Sequence, residues 1–230
     1  MTTLKRFLLM LAAVLFVTAN HAPALAGAPT DQLRGQVEQV IKILGDADLK
    51  QPAKLGERRV MIMKLADDVF DFKEISQRTL GRHWQARTPA EQAEFSDLFR
   101  DVLARAYVTQ IENYSGEKVT FLNDTIEGDA ATVRTKVITK AGTEVPVDYR
   151  MFVSANRWRV YDVSIEGISL VGNYRTQFNA IIQRKGYPDL VAKLKEKNDA
   201  QLASAAPRVD RRIGGTQGSA SPVTPGRQSP

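Results

Sequence analysis

Apolar residues recur along this chain at two different spacings, and the change from one to the other divides it. Over residues 30–49, Leu33, Val37, Val40, Ile41 and Leu44 return every three or four positions, which predicts an amphipathic helix with Thr30 or Asp31 placed to begin it. Helical spacing continues over 55–70 and again over 71–80, where Gly81 can take the left-handed stop. Thr88-Pro89-Ala90-Glu91 joins a capping hydroxyl, a proline at the first helical position and a glutamate three residues on, and so predicts a sharp helix start. Phe95, Leu98, Phe99, Val102, Leu103, Ala106, Tyr107 and Ile111 carry that helix towards Tyr114, and Ser115-Gly116 ends it.

From residue 119 the period falls to two. Val119 and Phe121, then Val133, Thr135 and Val137, then Val145, Val147, Tyr149, Met151 and Val153 alternate with more polar neighbours, separated by turns at Gly128-Asp129 and Ala141-Gly142. Pro146 has no N–H to give, so it belongs at the beginning of its strand or on an edge. A fourth strand follows Ala155-Asn156. Its apolar phase changes from even numbers (Trp158, Val160) to odd ones (Val163, Ile165), which predicts a bulge at Tyr161-Asp162. Beyond Gly167 the helical period returns with Val171, Tyr174, Phe178, Ile181 and Ile182, stops at Gly186, and resumes with Leu190, Val191 and Leu194. The class is therefore α+β: N-terminal helices, a four-stranded antiparallel meander over 118–166, and C-terminal helices, with room for an apolar cavity between sheet and helices.

The two ends read differently. Lys5 and Arg6, the apolar run 7–17 and the small residues Ala24-Leu25-Ala26 predict a secretory signal peptide over 1–26, cleaved before Gly27. A run of about 11 apolar residues falls well short of the roughly 20 that a spanning helix requires. From about residue 203 the chain turns to Ser, Pro, Gly, Thr and Gln, a composition that predicts a disordered polar tail over 203–230. One domain over 27–202 remains, large enough to bury a core.

Composition narrows the chemistry. There is no cysteine, which excludes a thiol nucleophile and fits an oxidising compartment, and loss of residues 1–26 leaves one histidine, His83. A multi-histidine metal site cannot be built within the chain, and no metal or cofactor is expected. Without Lys5 and Arg6, 30 basic residues face 26 acidic ones, interspersed and without an arginine-rich block, so no nucleic-acid partner is expected. Gly167 to Gly172 lacks the spacing and the lysine of a phosphate loop. Asp162, Glu166 and His83 are the groups from which an acid–base site could be assembled; the alternative is that the carboxylates accept backbone hydrogen bonds or pair with Arg157 or Arg159, and that His83 lies at the surface.

Several dispersed segments then combine. Asp71-Phe72, Leu80-Gly81-Arg82-His83-Trp84, Thr88-Pro89-Ala90-Glu91-Gln92 with Phe95 and Phe99, and Tyr114-Ser115-Gly116-Glu117 resemble the MlaC family of periplasmic lipid-binding proteins, also called the toluene-tolerance family. Val145-Pro146-Val147-Asp148-Tyr149-Arg150, Trp158-Arg159-Val160-Tyr161-Asp162-Val163, Glu166-Gly167-Ile168-Ser169-Leu170-Val171 and Asn173-Tyr174-Arg175-Thr176-Gln177-Phe178 are similar in order and spacing. The resemblance covers about residues 31–200. It implies a non-enzymatic periplasmic shuttle that holds the acyl chains of a phospholipid, or of a hopanoid-type lipid as in some branches, in an apolar cavity; a shuttle that must diffuse works best as a monomer. It also implies two partners, an outer-membrane lipoprotein complex and an inner-membrane ABC-type lipid transporter complex, served to maintain outer-membrane lipid asymmetry. The expected lining is Val147, Tyr149, Met151, Val163 and Ile165 on the strands, Ile168 and Leu170 at a turn, and Leu103, Tyr107, Tyr174 and Phe178 on flanking helices. Arg150 and Arg175 are the expected contacts to a headgroup or a partner, or else take part in ordinary salt bridges. Two other readings remain: an enzyme built around a pocket in a cone-shaped α+β fold, and an interaction module with a solid interior.

Overall fold

A computed structural model describes residues 28–205, so the signal-peptide segment 1–26 and residues 206–230 of the tail lie outside the described residues. Helix α1 (Pro29–Gly45) stops four residues before the pattern predicts, because the Asp46 carboxylate accepts the N–H groups of Asp48 (2.8 Å) and Leu49 (3.2 Å) and turns the chain. Leu49 folds back and is buried. Helices α2 (Leu55–Val69) and α3 (Phe72–Leu80) follow; the Asp71 carboxylate accepts the Glu74 N–H at 2.9 Å and opens α3. Gly81, at φ 55, ends it where an L residue would be strained. The start of α4 (Pro89–Glu112) is the reciprocal pair the sequence predicts: Thr88 N–H donates to Glu91 (2.8 Å) and Glu91 N–H donates to Thr88 Oγ1 (3.2 Å).

The sheet has the order β1 (Lys118–Glu127), β2 (Ala130–Ile138), β3 (Glu144–Ser154), β4 (Arg157–Ile165), β5 (Ile168–Ser169), all antiparallel. The fifth strand corrects the expected four. Glu166 and Gly167 both adopt positive φ (50° and 81°), a two-residue turn tight enough for Ile168 and Ser169 to pair back onto Ile165 and Ser164. The predicted bulge is present: Arg150 pairs with Asp162 and Met151 with Val160, leaving Tyr161 unopposed. Pro146 lies near the start of β3 as expected, though β3 is an inner strand. Helices α5 (Leu170–Lys185) and α6 (Tyr187–Ala205) complete the chain, α6 running three residues into the stretch assigned to the tail.

The free edge of β4 is covered piecemeal. Gln32 of α1 holds Trp158 at both backbone groups (Nε2 to O, 2.6 Å; N to Oε1, 3.1 Å), and Asp71 N–H donates to the Val160 carbonyl (3.0 Å). Arg159 reaches back to the carbonyls of Asp67 (2.8 Å) and Phe70 (2.5 Å), capping the end of α2 and binding it to the sheet. Beneath these contacts lie two apolar clusters. One is helical, with Phe95, Phe99, Val102 and Leu103 of α4, Val171 and Phe178 of α5, and Tyr187, Leu190 and Leu194 of α6. The other joins Leu33 and Val69 to Ala131, Val133, Met151, Trp158 and Val160 of the sheet. Phe70, in the link between α2 and α3, packs against both.

Candidate functional site

The expected lining divides between these clusters. Leu103 and Phe178 are buried in the helical one, with Tyr107, Leu170 and Tyr174 packed half-buried against it. Met151 is buried in the sheet cluster, with Tyr149 and Val163 at its margin. Val147 is buried just beyond, held in register by Ile165 on one side and Thr135 on the other. These residues therefore make two walls, and the pairing Tyr149–Val163 beside Val147–Ile165 continues the sheet wall past the part that α1 covers. Ile165 and Ile168 depart from the expectation of enclosure: they are 43% and 67% exposed, cross-strand partners at the tip of the β4–β5 hairpin. Alternation assigns Ile165 to the apolar phase, but the strand ends there and none of the described elements covers it.

Both walls are predominantly apolar. Thr135, buried on the sheet wall, donates its hydroxyl to the Val147 carbonyl (2.8 Å), which satisfies that donor within the sheet. On the helical wall the Tyr174 ring stands edge-on to Phe99 (4.9 Å between centroids) and lies 5.4 Å from Phe178. Burial pushes the phenols of Tyr149 and Tyr187 up to about 12; the Tyr187 shift is reinforced by Glu91 and Glu94. A raised phenol favours the neutral form in the folded chain, so stability is full below the unfolded value near 10 and is lost as pH rises from there towards about 12. An alkaline titration read by tyrosinate absorbance should show at least these two of the six tyrosines ionising late, and Tyr149→Phe should flatten the decline in stability. Six tyrosines titrating together near 10 in a folded chain would refute the enclosure of Tyr149.

The polar residues singled out in the sequence do not converge. Asp162 is buried and accepts the Ser169 hydroxyl (2.6 Å) and the Val171 N–H (3.0 Å), fixing the start of α5. Its cation is Arg150 (3.6 Å), not Arg157 or Arg159. Glu166 is exposed in the hairpin turn, and His83 Nε2 lies 2.9 Å from Asn179 Oδ1 on α5. Arg175 donates Nε to the Arg78 carbonyl (2.7 Å) at the end of α3, so Arg150 and Arg175 are engaged by different partners. Sequence reasoning missed Gln32 and Phe70 and offered Arg159 only as a partner for a carboxylate; the three join α1 and α2 to the sheet, and none carries a local signal for that, since each acts on a residue more than 80 positions away or between two clusters. Among the described residues no group of three or more metal-ligating side chains occurs, and no helix is long and apolar enough to cross a membrane.

Three comparisons bear on this arrangement. The family model described as MlaC protein matches residues 34–196. Curated relatives include the intermembrane phospholipid transport system binding protein MlaC of Haemophilus influenzae, 21% identical over 52% of this chain and 58% of the relative. They also include the toluene tolerance protein ttg2D of Pseudomonas putida, 28% identical over 43% of this chain and 46% of the relative. The chain thus matches about half the length of each of these relatives. Among solved structures, a phospholipid-binding protein from Ralstonia solanacearum in complex with a phospholipid superposes with a TM-score of 0.66 at 30% identity, over 76% of this chain and 99% of that one.

Proposed function

Because this chain belongs to the MlaC family, we propose that it is a periplasmic lipid carrier, without catalytic activity, whose two apolar walls hold the acyl chains of a phospholipid. The observation that carries this reading is the match to nearly the whole length of a chain solved with a phospholipid bound. That neighbour also favours phospholipid over a hopanoid as the cargo. The reading continues with export directed by residues 1–26, a domain from 27 to the end of α6, and diffusion as a monomer between an outer-membrane lipoprotein complex and an inner-membrane ABC-type transporter complex.

The energetics state what such a carrier must do. Two acyl chains contain roughly 30 methylenes at about 0.8 kcal/mol each, so on the order of 20 kcal/mol opposes their exposure to water. A carrier needs a dry wall on each side of the chains and a way to open. No nucleophile is required. The walls found here are separate clusters joined through Phe70, an arrangement in which the helical cluster can shift as one body against the sheet, about the start of α5 that Asp162 holds, without dismantling either core.

The test is direct. Protein exported and purified without detergent should release phospholipid on organic extraction, identified by mass spectrometry, in proportion to protein. A folded, lipid-free protein that takes up nothing from phospholipid vesicles would remove the proposal; a triterpenoid in the extract would change the cargo and keep the carrier.

A further inference from the structure

A concavity lies on the outer side of α5. A cleft of about 510 Å³ opens between the end of α3, the 3₁₀ turn Gly81–His83 and the outer surface of α5. Arg175, Asn179 and Gln183 recur every four residues, a stripe roughly 12 Å long. Arg82, His83 and Thr176 complete its polar lining. Leu80 at its base belongs to the helical cluster, but Tyr174 and Phe178 of the same helix turn away from the cleft, so none of the expected lipid-lining residues lines it and the inference does not depend on the lipid reading.

Its charged lining is of one sign. Among the described residues no carboxylate lines it. Arg59, Arg78, Arg100 and Arg157 each meet an acidic partner elsewhere in the molecule. Arg82 and Arg175 are held by neutral acceptors instead. Arg82 Nη2 donates to Asn179 Oδ1 (3.1 Å), His83 Nε2 meets the same oxygen (2.9 Å), and Arg175 Nε donates to the Arg78 carbonyl (2.7 Å). Neutral acceptors fix the orientation of a guanidinium and leave its charge uncompensated. Capping of α3 accounts for one nitrogen of Arg175. It does not account for Arg82 and His83 gathered on Asn179.

We propose that this cleft binds an extended acidic segment of a partner protein, with the two arginines receiving carboxylates and the amide stripe of α5 meeting the peptide backbone. The shape favours a peptide over a membrane: a bilayer surface is flat, whereas these groups line a recess. A free phosphate would engage the arginines and leave Gln183 and Thr176 without a role.

The experiment uses the full chain and a fluorescein-labelled hexaglutamate peptide at low ionic strength, read by anisotropy and by the side-chain amide resonances of Asn179 and Gln183. The peptide should bind and shift both amides, and a hexaglutamine peptide should do neither. Arg82→Gln should weaken binding about fivefold, and Thr176→Glu, which places a carboxylate in the cleft and leaves both arginine contacts intact, about tenfold or more. Arg184→Gln, outside the cleft, should stay within about twofold. Absent binding, or binding indifferent to Arg82 and Thr176 in variants with unchanged melting, overturns the proposal. So does inorganic phosphate or phosphatidylglycerol vesicles moving the same amides as strongly, since the cleft would then be a phosphate site.

Discussion

Val147→Arg should emerge from purification with at most about a tenth of the lipid carried by the unaltered chain, because a guanidinium on a hydrocarbon wall must be either desolvated or hydrated by displacing the cargo. Val147 is 7% exposed, sits opposite Ile165 and Thr135, and extends the apolar phase of Met151 and Tyr149 beyond the part of the sheet packed by α1. A buried substitution can also act by unfolding. Ile165→Arg separates the two effects: it is already 43% exposed, so the change should cost the fold within about 0.5 kcal/mol, yet it puts a charge at the open end of the same wall. Lipid phosphate per protein should fall several-fold in Ile165→Arg with the circular dichroism melt unmoved. Full lipid content in a folded Val147→Arg protein would show that the sheet wall does not hold the cargo.

What the chain makes legible follows from how local each cause is. The start of α4 is written in four consecutive residues, Thr88 to Glu91, and the bulge at Tyr161 in the phase change between Val160 and Val163. Both are local, and both are where the sequence puts them. Strand β5 depends on two left-handed residues, Glu166 and Gly167, and one of them is not a glycine, so a turn was legible where a paired strand forms. A second bulge, at Leu122 in β1, passes unnoticed because Asn123 and Asp124 hide the break in alternation among polar residues. The site shows the same division at larger scale. Periodicity says which side of each element is apolar, and it placed Met151, Leu103 and Phe178 inside. It does not say which elements face each other, so the two walls, and the part Phe70 plays between them, emerge only when the chain is folded.

The helical wall is where the largest loss of stability is expected. Phe99 is fully buried, with its ring 4.9 Å from Tyr174 and 5.2 Å from Phe178, both near edge-on at 74° and 72°, and 5.8 Å from Phe95. Phe99→Ala removes the ring from the centre of that group and should cost about 4 kcal/mol, from lost transfer energy and a cavity that three neighbouring rings on two helices cannot collapse to fill. Edge-to-face pairs add about 0.5–1.5 kcal/mol each beyond area, so Phe99→Leu, which keeps much of the volume, should still cost over about 1 kcal/mol. Urea denaturation of both variants with unchanged slope would give the two numbers. A cost below about 1 kcal/mol for Phe99→Ala would mean that the ring is not packed as described. The same substitution reaches the carrier role, because Tyr174 and Phe178 take their positions from Phe99: lipid should leave Phe99→Ala faster than the unaltered chain at temperatures where both remain folded. Were lipid retained equally, the aromatic group would serve the fold of α4 and α5 alone, and the cargo would rest on the sheet side.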